Sequence, residues 1–113
     1  MTRIKLTTDN NYFRLKINGH AGYADPGSDI VCSAVSMLMY TVAQLVEDSA
    51  DKLYGQSIKI SDGYADISFT SKENFTDEVT LKLLAICRGF ELLQTSYPDY
   101  VFYKKVGRDD KTA

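Results

Sequence analysis

The fold and the candidate chemistry of this chain both depend on residues 19–32, Gly-His-Ala-Gly-Tyr-Ala-Asp-Pro-Gly-Ser-Asp-Ile-Val-Cys. Three glycines occur between residues 19 and 27, and Pro26 disfavours helical geometry at the residue before it. We therefore predict a loop, and loops on a rigid scaffold often carry function. The stretch contains the only histidine of the chain, His20, and one of its two cysteines, Cys32.

The residues before this loop predict a β-hairpin. Apolar and polar residues alternate over residues 4–6 and again over residues 13–17, which is typical of half-buried strands. Residues 8–11, Thr-Asp-Asn-Asn, favour a turn because Asp and Asn bond to the local backbone and tolerate left-handed conformations. The hairpin should end near Asn18, which places His20 just beyond its second strand.

The residues after the loop predict an amphipathic helix. Ser28 or Asp29 can serve as its N-cap, and an acidic residue at a helix start is favoured by the helix dipole. Apolar residues then recur at helical spacing, and we expect the helix to run to about Ala50. The members of this apolar stripe are Val31, Val35, Leu38, Val42, Leu45 and Val46.

A second hairpin, a second helix and a last strand complete the chain. Residues 57–71 alternate around Asp62-Gly63, a pair that favours a type I′ turn. The second helix is predicted over residues 76–96 and the last strand over residues 100–106. The apolar stripe of the second helix is Val79, Leu83, Ile86, Cys87, Phe90 and Leu93.

The predicted element order is therefore ββαββαβ. The natural fold class for this order is α+β, with two helices packed on a mainly antiparallel sheet. We expect a single domain over residues 1–106 and a polar C-terminal tail over residues 107–113.

The composition is that of an ordinary globular domain, with 44% hydrophobic and 25% charged residues. A net charge of −2 and the lack of a basic stripe disfavour direct binding of nucleic acid. No apolar run approaches the roughly 20 residues that span a bilayer, and the first residues contain no secretory signal. Two cysteines in such a chain favour free thiols and a cytoplasmic location, with no membrane partner.

Cys32 and His20 suggest a cysteine nucleophile with its base. Cys32 lies in the first turn of the predicted helix, a position that favours the thiolate, and about 100° from the centre of the apolar stripe. The alternatives are a small buried hydrophobe for Cys32 and a solvated loop residue for His20. Cys87, by contrast, falls within an apolar stripe and is explained by packing. We expect no metal site and no cofactor, because two cysteines and one histidine without short spacings do not form a zinc site.

Two polar residues near Cys32 each have two interpretations. Asp29 orients His20 as the third member of a triad, or it is a favourable acid at a helix start, which we prefer. Ser36, one turn below Cys32, hydrogen-bonds the thiolate or bonds back to a helix carbonyl. Backbone N–H groups at the helix start, near Cys32 itself, are the expected donors to an oxyanion.

The loop itself is a candidate substrate-binding element. Gly22 and Gly27 flank its central residues and would allow it to close over a ligand and bring His20 into reach. Tyr23 is the one aromatic residue inside the loop and a candidate contact for that ligand.

The motifs Gly19-His20 and Asp29-Ile30-Val31-Cys32, followed by Ser36, resemble the Prp (YsxB-like) family of ribosomal-processing cysteine proteases. Length and element order match as well, so the resemblance covers nearly the whole chain. It implies that His20 and Cys32 are the catalytic pair, with supporting roles for Gly19, Asp29 and Ser36. The one difference is Ser33, which follows the cysteine where the family commonly has alanine.

The resemblance also implies a substrate. Members of that family, found in Firmicutes and related bacteria, are homodimers that remove the N-terminal extension of a large-subunit ribosomal protein after an aromatic pair. Two rival hypotheses remain from the residues alone. One is a non-enzymatic ribosome-associated module that binds a peptide strand, and the other is a redox-active or acyl-transferring thiol protein without peptidase activity.

Overall fold

The computed structural model of the chain describes residues 1–107. Within them, five strands and two helices occur in the predicted order, joined in two places by short 3₁₀ turns, Ala50–Lys52 and Glu73–Phe75. The strands and helices are β1 (Thr2–Asp9), β2 (Tyr12–Asn18), α1 (Ile30–Asp48), β3 (Leu53–Ser61), β4 (Tyr64–Ser71), α2 (Thr76–Ser96) and β5 (Val101–Gly107).

The strands form one sheet in the order β3-β4-β2-β1-β5. The two hairpins, β1–β2 and β3–β4, join through an antiparallel β2–β4 pair, whereas β5 runs parallel to β1 at the sheet edge. The predicted α+β fold with a mainly antiparallel sheet is therefore confirmed. The sheet order places the end of β2 beside the turn between β3 and β4, and this neighbourhood forms the candidate site.

Both helices cover the same face of the sheet and close a single core. Alternate residues of the inner strands point into it, and Phe13 on β2 stacks on Phe69 of β4 with ring centroids 5.2 Å apart. Each such buried ring contributes about 2–3 kcal/mol of hydrophobic stabilisation. The helices approach closely where Gly89 faces Leu38, because a Cβ at position 89 would lie 2.7 Å from a methyl group of Leu38.

The apolar stripes predicted for the helices face this core. Val31, Val42 and Val46 of α1 are at most 2% exposed. By length and composition alone α1 is apolar enough to cross a membrane. One face of α1 packs against the sheet and α2, and the core helix of a globular domain passes the same test.

The turn chemistry of the sequence is confirmed in the first hairpin and wrong in the second. Asn10 adopts the left-handed conformation that the Asp-Asn-Asn sequence predicts, with φ of 56°. At Asp62-Gly63 only the glycine has a positive φ, 67°, so the turn is not type I′, which needs positive φ at both positions.

Strand β3 begins at Leu53, whereas the alternation in the sequence predicts a start at Ser57. The pairing register of β3 and β4 shifts between Tyr54 and Ser57, and Gly55 lies inside this irregularity with φ of 68°. A bulge interrupts the period of two, so the first residues of the strand do not show in the sequence pattern. The predicted polar tail lies outside the described residues, apart from Gly107, which ends β5.

Candidate active site

His20 is held at the end of β2 by the glycine before it. Gly19 has φ of 89°, and a Cβ there would lie 2.7 Å from the carbonyl oxygen of Met1, so no other residue fits without strain. The N–H of Gly19 donates to the carbonyl of Gly63 at 2.8 Å, while its own carbonyl accepts from the Thr2 hydroxyl at 3.2 Å. These contacts fix the start of the loop against both hairpins.

Cys32 lies in the first turn of α1, half-buried at the edge of the core. Its Sγ is 4.0 Å from Nδ1 of His20. Catalytic hydrogen bonds are often long in a free enzyme and shorten when substrate binds. The structure therefore brings together the two residues that the sequence singled out, without any movement of the loop.

The other imidazole nitrogen faces the turn between β3 and β4. Nε2 of His20 is 3.5 Å from Oδ2 of Asp62, whose side chain is 96% exposed. The ring also lies against Gly63, where a Cβ would be 2.8 Å from Nε2. The imidazole therefore lies between a thiol and a carboxylate, with Nδ1 facing Cys32 and Nε2 facing Asp62.

Asp29 caps α1 and does not orient His20. Its Oδ1 accepts from the N–H of Cys32 at 2.8 Å, and its Oδ2 accepts from the N–H groups of Tyr23 and Ala24 at 2.9 and 3.3 Å. The bond from Cys32 above all, and then those from the loop, lower the pKa of the Asp29 carboxyl. Between the two interpretations of Asp29, the structure supports the helix cap.

This cap also corrects the expectation about the oxyanion. The N–H of Cys32 already donates to Asp29, and the N–H of Ser33 donates to the Asp29 carbonyl at 3.1 Å. Neither group is free to bind an oxyanion in this arrangement, so the helix start near Cys32 is not a ready-made donor site.

Two concavities meet at Cys32 and His20. The first, with a volume of about 360 Å³, extends toward the core and is lined by Met39, Ile60 and Tyr64, among others. The second, about 750 Å³, lies between the loop and the exposed flank of α1. Besides Cys32 and His20 the two concavities share Ser36, Tyr40 and Asp62. A peptide in extended conformation can therefore pass over the thiol with side chains on both sides of it.

The loop residues divide between this groove and the body of the domain. Gly22 and Gly27 line the larger concavity, with φ of 73° and 88°. Tyr23 does not line either one, and its ring packs edge-on against Tyr97 and Tyr100 with centroids 5.5 and 5.2 Å away. As found here, Tyr23 anchors the loop to the end of α2.

The comparison of this sequence with known protein families identifies it. The sequence model of cysteine protease Prp matches residues 1–102. The chain belongs to the Prp family of cysteine proteases. A comparison with curated protein sequences gave no match.

Solved structures agree with this assignment in fold. The crystal structure of SMU.848 from Streptococcus mutans superposes with a TM-score of 0.71 at 25% identity, covering 96% of each chain. The essential ribosomal processing protease Prp from S. aureus, with a covalently linked product peptide, superposes with a TM-score of 0.71 at 19% identity, covering 96% of this chain and 100% of that one. The same protease with a substrate peptide gives a TM-score of 0.68 at 17% identity, covering 93% and 99%.

Ser36 and Cys87 complete the polar and thiol inventory of this Prp-family chain. The Ser36 hydroxyl lines both concavities and makes no hydrogen bond within residues 1–107, to a helix carbonyl or to Cys32. Cys87 is 2% exposed in the core, and its burial raises the pKa of the thiol to about 11. Cys87 is therefore core, as its place in the apolar stripe predicts. No cluster of three or more metal-ligating side chains occurs in the described part of the chain.

The sequence analysis missed Asp62 as part of the site. Its pattern, Asp followed by Gly between two alternating segments, indicates a turn and nothing more. The sequence predicts the hairpin that contains Asp62, but it does not predict that the turn of this hairpin lies beside the end of β2. That position depends on the order of strands in the sheet.

Proposed function

We propose that this protein is an endopeptidase that removes the N-terminal extension of a large-subunit ribosomal protein, cutting after an aromatic pair. The observation that carries the proposal is the 4.0 Å approach of the Cys32 thiol to His20 at the junction of two concavities, in a chain of the Prp family. The S. aureus relatives described as ribosomal processing proteases, with their bound peptides, support the substrate class.

The mechanism is acyl transfer through a thioester. Nδ1 of His20 takes the thiol proton, and the Cys32 thiolate attacks the scissile carbonyl carbon. The proton then passes from the imidazolium to the leaving amine as the C–N bond breaks. Water, deprotonated by His20, attacks the thioester, and the released thiolate recovers the proton.

Asp62 is a positioning residue in this mechanism. Its carboxylate faces Nε2, so it favours the tautomer and the ring orientation that leave Nδ1 toward the thiol. Because the Asp62 side chain is exposed to solvent, the interaction is screened and its effect on the rate is modest. Ser36, with its hydroxyl unbonded, is available to donate to the thiolate or the bound peptide.

The larger concavity is suited to the aromatic pair. Its volume of about 750 Å³ is within the usual range for ligand pockets, and Met37 and Tyr40 on its α1 side are 67% and 55% exposed. Such side chains become buried when an apolar ligand binds. The part of the loop able to close over that ligand is short, from Asp25 to Gly27, because Asp29 holds Tyr23 and Ala24 and the tyrosine contacts hold Tyr23.

A homodimer and a cytoplasmic location are part of the same proposal. Leu81 and Leu92 on α2 are 73% and 65% exposed and lie three turns apart on one face, which supports self-association through that helix. Light scattering of the wild type and of Leu81→Lys/Leu92→Lys tests this, because a dimer through α2 should become monomeric. The two free thiols, Cys32 and Cys87, are consistent with a reducing compartment.

The experiment that tests the activity is cleavage of a peptide that spans a ribosomal-protein extension with its aromatic pair. We expect one cut after the pair with the wild type, none with Cys32→Ala, and nearly full activity with Cys87→Ala. A variant of the peptide with the aromatic pair replaced by alanines serves as the substrate control. Equal cleavage of the peptide by Cys32→Ala would refute the mechanism, and equal cleavage of the alanine peptide would refute the specificity.

A further inference from the structure

The face of the sheet opposite the helices is lined with cationic side chains. One register position crosses all five strands in the order Lys104, Lys5, Lys16, Asp66, Lys59. Neighbouring positions on the same face add Arg3, beside Phe102, and Arg14, beside Ser68. We call this surface, centred on β1, β2 and β5, the outer sheet face.

The charge of the outer sheet face contrasts with that of the chain. Among residues 1–107 the outward-facing positions of its strands carry six cationic side chains, Arg3, Lys5, Arg14, Lys16, Lys59 and Lys104, and two carboxylates, Asp9 and Asp66. The net charge of the face is therefore +4, on a chain whose net charge is −2. Asp66 is already ion-paired with Arg14 at 2.6 Å and lies at one side of the row.

This arrangement is unfavourable in the isolated protein. Lys5 is directly opposite Lys16 in the antiparallel pair and beside Lys104 in the parallel pair. Like charges at such cross-strand positions destabilise a sheet. Within residues 1–107 no ion pair involves Lys5, Lys16, Lys104 or Arg3. The repulsion would be relieved by a polyanion bound across the strands.

The same face presents an aromatic ring and a shallow depression. Phe102 is 43% exposed on β5. A depression of about 220 Å³ is lined by the stems of Arg3, Lys5, Lys16 and Lys104 together with Ile4, Asn18 and Phe102. An exposed ring among cations on a flat sheet is the arrangement on which nucleic-acid bases stack while phosphates meet lysines and arginines.

We propose that the outer sheet face binds single-stranded RNA. A second copy of this chain is disfavoured as the occupant, because two faces of charge +4 repel each other. RNA satisfies both features, since its phosphates complement Arg3, Lys5, Lys16 and Lys104 and a base can stack on Phe102. The low net charge of the chain is no obstacle, because a basic face and not the total charge attracts the phosphates.

The outer sheet face adjoins the candidate active site. Asn18 lies opposite both Arg3 and Tyr64, and Tyr64 lines the smaller concavity while His20 follows Asn18 by two residues. RNA bound on this face would therefore lie at the border of the peptide groove.

The test is fluorescence anisotropy of a labelled 12-nucleotide single-stranded RNA with the full chain at several salt concentrations. With four phosphate contacts, the slope of log K against log salt should be about −2.8. Lys5→Gln/Lys104→Gln removes two contacts and should bring the slope to about −1.4. Phe102→Ala should weaken binding at least about fivefold and leave the slope unchanged.

A matched control removes the same charge from the other side of the molecule. Lys82→Gln/Arg88→Gln on α2 should bind RNA like the wild type. Thermal unfolding of Lys5→Gln/Lys104→Gln should occur at a Tm equal to or above that of the wild type, because repulsion is relieved. A loss of RNA binding by this variant would then not be caused by unfolding.

Three results would overturn the proposal. They are no salt-dependent binding by the wild type, an equal loss of affinity in the α2 control, or tighter binding of polyglutamate than of RNA, which would assign the face to an acidic protein. The assay measures binding alone, so its outcome is separate from that of the peptidase assay.

Discussion

Replacing Gly63 with alanine tests whether the position of the His20 imidazole determines the rate of peptide cleavage. A Cβ at position 63 would lie 2.8 Å from Nε2 of His20 and 3.1 Å from Cδ2, whereas ordinary van der Waals contact begins at 3.4 Å. The imidazole is the end of a flexible side chain, so the ring would move by about 0.6 Å or more while the backbone stays in place.

The expected losses of activity and stability differ in size. A misplacement approaching 1 Å can lower a rate by about 100-fold, so we expect kcat/KM to fall by roughly 10- to 100-fold. Alanine at the φ of 67° found here costs about 1–2 kcal/mol, partly offset by about 0.4–1 kcal/mol from the less flexible unfolded chain. The net loss of about 1 kcal/mol should lower Tm by roughly 4–6 °C.

Gly55 provides the matched control on strand β3. Its φ of 68° is nearly the same, but a Cβ there has nothing within 4 Å. Gly55→Ala should therefore lose similar stability and keep its activity. The measurements are kcat and KM on a fluorogenic peptide with an aromatic pair, and Tm by calorimetry. If Gly63→Ala and Gly55→Ala cleave the peptide equally well, the position of the ring does not limit the reaction and the reasoning is refuted.

Three further predictions concern the thiols and the two carboxylates. Iodoacetamide at pH 7 should modify Cys32 and spare Cys87, because burial raises the pKa of the Cys87 thiol to about 11. Peptide mass spectrometry measures the modification of each cysteine, and equal rates of modification in the folded protein would contradict this. Asp29→Ala should lower Tm by roughly 3–6 °C at pH 7 through loss of the cap. Because the pKa of Asp29 is lowered on folding, its stabilising effect is present above about pH 4 and is lost as pH falls through the folded pKa. The difference in Tm between the wild type and Asp29→Ala should therefore shrink at pH 2, and an unchanged difference would count against Asp29 as a charged cap. Asp62→Asn should lower kcat/KM by about two- to fivefold at low salt and less at high salt, and a salt-independent effect would exclude the proposed ion pair.

Local sequence patterns predicted the elements of this fold and the two residues at the centre of its site. The alternation in the hairpins and the helical stripes of α1 and α2 reflect which side chains face one core, and that information is present within each segment. His20 and Cys32 were found because they flank one loop, 12 residues apart. A short connection limits how far apart its ends can lie.

Other features of the site depend on contacts between distant segments. Asp62 is 42 residues from His20, and they meet only because β4 pairs with β2 and not with β1. The bonds from Tyr23 and Ala24 to Asp29 are local, but they need the folded loop, so the cap could be proposed from the sequence and its hold on the loop could not.

The outer sheet face illustrates the same limit for a surface. The cations of β1 and β2 alternate with core residues, and β3 and β5 add only one each to this face, so no basic run marks it in the sequence. Lys5, Lys16 and Lys104 become neighbours only through two pairing registers, one antiparallel and one parallel. Before the fold is known only the net charge of the chain is available, and it combines the positive charge of this face with the negative charge of the rest of the chain.

The parallel pairing of β5 with β1 has a consequence for when the enzyme becomes active during synthesis. Tyr97 and Tyr100, which hold the loop through Tyr23, lie just before β5, and the Tyr100 carbonyl accepts from the N–H of Thr2 at 2.9 Å. Contacts between such distant segments form late in folding. A nascent chain on the ribosome thus carries both His20 and Cys32 long before its loop is held, because the contacts of Tyr23 with Tyr97 and Tyr100 form only after those two residues have emerged.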